Sequence, residues 1–155
     1  MQITLTYNDL YGVVERSLSI IAKRSTDDQG NLLFDNITIG SREKDIITDY
    51  IKQAAVWLAT ETSAFVTASS ENSLTLTFPS NHNTNLDVFI TNSAKHYCVA
   101  YALYSWFTVT APRLAEKYLG DCTRDTAAII RMTSDKQAPT GSGDILGTST
   151  NVTSQ

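Results

Sequence analysis

Apolar and polar residues alternate at the start of the chain, where Ile3, Leu5 and Tyr7 interleave with Gln2, Thr4 and Thr6. A period of two predicts a short half-buried strand. The period then lengthens. Leu10, Val13, Val14, Ser17, Leu18 and Ile21 recur at helical spacing behind an Asn8-Asp9 cap, which predicts a first helix over about 9–23. Residues 24–40 form a polar connection carrying two apolar pieces, Leu32-Leu33-Phe34 and Ile37-Thr38-Ile39. Asp35-Asn36 between them is turn chemistry, so a small hairpin is expected there. Ser41 caps a second helix with the stripe Ile47, Tyr50, Ile51, Ala54, Trp57, Leu58 and Glu61.

From about Thr62 the period returns to two. Phe65–Ala68 and Leu74–Phe78 predict a β-hairpin over about 64–79, ended by Pro79. A third helix follows from Leu86 to Thr110, capped by Asn85, with Leu86, Phe89, Ile90, Ala94, Tyr97, Tyr101 and Tyr104 along one face. Between Tyr97 and Phe107 it is apolar nearly all round, so it must be surrounded by protein. Thr110-Ala111-Pro112 breaks and restarts the chain, with Thr110 as cap and proline in the first turn. The fourth helix runs to about Asp135 and is expected to bury Leu114, Ala115, Tyr118, Leu119, Cys122, Ile129 and Ile130. The fold class is therefore mainly α: a four-helix bundle with an inserted β-hairpin, a short N-terminal strand and an extended C-terminal arm. The bundle domain spans 1–136 and the arm 137–155.

Composition narrows the function. A chain of 155 residues suits one domain with its own core. Only 18% of residues are charged, against roughly 25% in typical soluble domains, and Ser, Thr and Asn make up the difference. Such a surface is cheaper to dehydrate on association than one covered in Lys and Glu. The net charge is −4 and the twelve Lys and Arg are scattered, so a phosphate-gripping nucleic-acid surface is not expected. The N-terminus shows no basic and apolar leader pattern, and Tyr97–Phe107 is too short to span a bilayer, so a soluble cytosolic product is expected. Cys98 and Cys122 lie 13 residues before and 11 after Ala111, which sets them at similar heights on antiparallel helices. Buried, reduced thiols are expected, with a disulfide the lesser alternative.

The chain offers little chemistry. His96 and Cys98 are two apart on a helix and project in different directions, and His82 lacks ligand-spaced partners, so neither a metal nor a cofactor is expected. There is no Gly-x-Ser-x-Gly elbow. Asp121 and Asp125 share a helix face with Arg124 and Lys117 nearby and read as surface pairing, and His96 as a polar-face residue. The Gly141/Gly143/Gly147 spacing misses a dinucleotide fingerprint by one position and opens no helix. No catalytic residue is assigned.

Binding to other chains is the remaining theme. The arm has Pro139, Ile145, Leu146 and Val152 among many Gly, Ser and Thr residues. So few apolar groups cannot offset the ordering of nineteen residues, and the simplest tie is another protein chain. Ile3, Leu5 and Tyr7 of the first strand, and Phe65, Val66, Leu76 and Phe78 of the hairpin, are further candidate partner contacts. Strand and hairpin could equally form a small sheet within one subunit.

The order of parts resembles the head–tail connector (adaptor) proteins of tailed bacteriophages. The segments that carry this are Asp9-Leu10-Tyr11-Gly-Val13-Val14, Asp45-Ile46-Ile47-Thr-Asp-Tyr-Ile51-Lys-Gln-Ala54-Ala55, the inserted hairpin and the aromatic helix ending Trp106-Phe107. The helix from Arg113-Leu-Ala115-Glu-Lys-Tyr118 to Ile129-Ile130-Arg131, closing at Gln137-Ala-Pro139, completes it. The resemblance covers about residues 8–139, and the longer 24–40 connection and neutral arm depart from the pattern. It implies a non-enzymatic virion protein made in the host cytoplasm, forming a ring, usually twelve-fold. That ring docks on the portal protein and on tail or other neck proteins, with C-terminal arms reaching the portal and DNA only passing through the lumen. The alternative within that class is a tail-completion or other neck-ring protein. From another class, a small helical regulatory or ligand-binding protein would line a pocket with Tyr97, Tyr101, Tyr104 and Trp106.

Overall fold

The computed structural model describes residues 1–24, 41–78 and 83–134. Strand β1 (Gln2–Thr6) runs directly into helix α1 (Tyr7–Arg24). Helix α2 (Ser41–Glu61) leads into strands β2 (Phe65–Ser69) and β3 (Ser73–Thr77), and a single 3₁₀ turn at Thr84–Leu86 opens helix α3 (Asp87–Thr110). After Ala111, helix α4 (Pro112–Ser134) returns along α3. The described residues are thus mainly helical, four helices with one small antiparallel sheet. The expected hairpin at 32–39, the Pro79 stop and the arm lie outside the described residues.

The N-terminal strand and the hairpin form a single sheet in the order β1-β3-β2. Ile3 sits opposite Leu76 and Leu5 opposite Leu74, and all four are buried beneath the helices. The opposite face carries Thr4 and Thr75, whose hydroxyls are 3.2 Å apart. Alternation in the sequence thus becomes one face against the bundle and one face of hydroxyls. The Tyr7 amide donates to Asn72 O at 2.9 Å, which closes the ladder at the residue where α1 begins. This junction leaves no room for the Asn8-Asp9 cap; Asp9 instead lies in the first turn, at the positive end of the helix dipole.

Helix α2 ends at a left-handed Ser63 (φ 54°), with the Ala64 amide donating back to Ala59 O at 3.0 Å. That is a Schellman-type stop, and it aims the chain into β2. The Asn83 side chain accepts from the Asn85 amide and caps the 3₁₀ turn. Thr110 caps nothing: its hydroxyl turns back to Trp106 O at 2.9 Å, and Ala111 alone forms the joint.

Helix α3 is the axis of the bundle, packed by α4, α2 and α1. Four consecutive residues, Tyr97 to Ala100, are buried, as its apolar circumference requires. Phe107 stacks on Tyr118 at 5.6 Å between ring centroids. Cys98 and Cys122 are both buried and free. Two stripes are rotated from expectation. On α2 the buried line is Ile47, Ile51, Ala54, Ala55, Leu58 and Ala59, which leaves Trp57 51% exposed. On α4 only Ala115, Cys122, Asp125 and Ile129 are buried, and Leu119 and Ile130 stay on the surface.

Candidate interaction surfaces

The hairpin supplies the first surface. β2 overhangs the bundle, and all five of its residues are exposed. Phe65 is 69% and Val66 49% exposed, and no residue of the strand is charged. Its register with β3 slips between Val66 and Ala68, so Thr67 is an extra residue in a bulge. The Thr67 hydroxyl lies 3.0 Å from that of Thr77. A bulge twists an edge strand, but without Lys or Pro this edge keeps peptide groups open to pairing.

The candidate partner contacts separate into three groups. Phe65 and Val66 are presented on β2. Ile3, Leu5, Tyr7, Leu76 and Phe78 are buried in the chain's own core, because β1 pairs with β3 and turns these residues toward the helices. They are therefore not surface contacts of the folded chain, which corrects that part of the expectation. Pro139, Ile145, Leu146 and Val152 lie outside the described residues.

A second surface coincides in part with the pocket expected of a ligand-binding protein. A groove of about 430 Å³ runs between α3 and α4 at the end of α2. Glu61 comes from α2, Tyr97 and Tyr101 from α3, and Leu119, Thr126 and Ile130 from α4. The Thr126 hydroxyl donates to Glu61 Oε2 at 2.9 Å, and Tyr97 lines the groove beside the same carboxylate. Burial, and next the Glu61 carboxylate, hold Tyr97 well above the usual tyrosine range, so it stays a neutral donor. Tyr97 and Tyr101 stack at 6.2 Å, while Tyr104 meets Tyr101 edge-on and Trp106 packs against the core. Two of the four aromatics expected around a pocket thus line this groove.

The third feature fastens α3 to α4. His96 Nδ1–H donates to Asp125 Oδ2 at 2.5 Å, and Arg124 Nε is 3.9 Å from the other carboxylate oxygen. Asp125 is only 6% exposed, so it is a buried acid and not the surface pairing expected of it. Its neighbour Asp121 does pair at the surface, with Arg124 at 3.1 Å. The signal that could have found the His96 pair is the one used for the cysteines: His96 lies 15 residues before Ala111 and Asp125 lies 14 after.

The Cys122 thiol points to Tyr97 O at 4.0 Å, and burial, then the Asp125 charge, push it up to about 12. Burial also raises Cys98. Thiols held protonated are poor nucleophiles at neutral pH. Among the described residues no group of three or more His, Cys, Asp or Glu could hold a metal ion, and no helix is long and apolar enough to cross a membrane. Comparison with family models, with characterised proteins and with solved structures gives no match for this chain.

Proposed function

We propose that this chain is a structural, non-enzymatic assembly subunit of a phage neck. In this reading copies form a ring that joins the portal to the tail and lets DNA pass, as in the connectors that the sequence resembles. The arm over 137–155 docks on the partner ring.

The observation that carries this reading is strand β2. An overhanging strand with Phe65 and Val66 exposed, no charge and one open edge is a surface a solitary protein is expected to blunt. The low charged fraction of the chain, 18%, acts in the same direction. Size-exclusion chromatography with light scattering tests it. The intact chain is expected to run as a multi-subunit species, and deletion of residues 137–155 is expected to leave that species intact while abolishing capture by the docking ring. A chain that stays monomeric across the micromolar range would count against the ring, and normal incorporation without the arm would remove the role given to it.

A further inference from the structure

The groove between α3 and α4 has a chemical complement elsewhere on the same chain. Glu61 is the one charged residue among those that line it, and it sits beside the rings of Tyr97 and Tyr101. Thr126 supplies one hydrogen bond to this carboxylate, which has about four acceptor positions. An acid with spare acceptors beside aromatic faces suits a guanidinium, which pairs with carboxylate and stacks on aromatic rings. Flanking this centre, Leu119 and Ile130 are 48% and 43% exposed on α4. They are eleven residues apart, about 16 Å along the helix.

Helix α1 presents the matching ridge. Val13, Arg16 and Ile20 are all exposed, at spacings of three and four residues that keep them on one side of the helix. Val13 is 38% and Ile20 52% exposed, and Arg16 stands between them. The ridge spans seven residues, about 10 Å, and so fits within the groove. Val13 and Arg16 border a notch that also includes Lys95 of α3. Lys95 and the groove residue Tyr97 are two positions apart on α3, about 200° around the helix. Ridge and groove therefore lie on opposite sides of the bundle, and one molecule cannot seat its own ridge in its own groove.

We propose that copies of this chain join head to tail, the Val13–Arg16–Ile20 ridge of one seated in the α3–α4 groove of the next. Arg16 meets Glu61 and the two tyrosine rings of the neighbouring copy, and Val13 and Ile20 cover its Leu119 and Ile130. The inference rests on the assembly reading above and names one copy-to-copy contact. Because the two surfaces differ, the contact repeats until a ring closes.

Two full-length variants test this by native mass spectrometry. Ile20→Asp spoils the ridge and Leu119→Asp spoils the groove, and each replaces an exposed residue. Each alone is expected to lose self-association by roughly a hundredfold or more, since each leaves a charge in a dehydrated contact. Mixed together they are expected to form a one-to-one dimer and nothing larger, since only one intact ridge and one intact groove remain. Circular dichroism confirms that each is folded; if either is not, Arg16→Glu and Ile130→Asp take their places. Variants that assemble like the unaltered chain overturn this contact while the assembly reading stands. A mixture that stays monomeric, although the unaltered chain assembles, also overturns it. An unaltered chain that never leaves the monomer overturns both.

Discussion

Removing His96 should cost more than its half-exposed position suggests. His96→Ala leaves the Asp125 carboxylate, whose side chain is 9% exposed, without its hydrogen bond at 2.5 Å. The nearest cation left is Arg124 Nε at 3.9 Å, too far for a good hydrogen bond. A buried acceptor stripped of its donor costs about 1–3 kcal/mol, more when it is charged. We therefore expect a loss of about 2 kcal/mol, or about 6 °C in Tm for a chain of this size. Asp125→Ala removes the buried charge itself, while the histidine it abandons is already half in water, so its cost should be smaller, about 1 kcal/mol. In the double variant no orphan remains, and its loss should match Asp125→Ala alone and not the sum of the two. Urea unfolding followed at 222 nm at pH 7 measures all three differences. A His96→Ala variant within about 0.5 kcal/mol of the parent, or strict additivity in the double, would refute the reasoning.

Other expectations follow from burial. Phe107→Ala, at a fully buried ring stacked on Tyr118, should lose about 3–5 kcal/mol, whereas Val109→Ser, two residues on and 79% exposed, should change stability by less than about 0.5 kcal/mol in the same urea assay. Cys98 and Cys122 should resist a thiol reagent at pH 8 in the native chain and react promptly in urea; fast native labelling would contradict their burial. Folding holds both thiols protonated past their ordinary range, so stability is fully present below about pH 9 and falls as pH rises from there toward about 12. The slope should reach about 1.4 kcal/mol per pH unit for each thiol, and thermal melts across that window measure it. Val66→Lys on the overhanging strand should leave the melting temperature within about 2 °C of the parent yet weaken any edge-to-edge pairing seen by light scattering.

Period and turn chemistry made the elements legible. The change from alternation to helical spacing at Tyr7, the hairpin flanking Ser70–Asn72 and the all-round apolar run Tyr97–Phe107 each correspond to an observed element. Which side of a helix faced inward was harder to read. Trp57 carries far more apolar surface than Ala55 or Ala59, yet the small alanines face the core and the tryptophan is left half outside. Leu119 and Ile130 look like core residues on a strongly amphipathic helix, but α4 rests on α3 alone along much of its length, so its buried stripe is narrow. The groove follows from that narrowness and from Glu61 reaching across from α2, a long-range contact with no local trace in the sequence. Asp125 was hidden for the opposite reason: its local neighbours Asp121 and Arg124 suggest a surface pair, and only the antiparallel return of α4 brings His96 to it.

The measurement that bears most directly on assembly is the native mass of the intact chain as its concentration rises. A discrete species at a fixed multiple of 17.0 kDa, growing at the expense of monomer, is the result expected of a ring subunit. A single 17.0 kDa species at every concentration, with or without the arm over 137–155, would contradict the account.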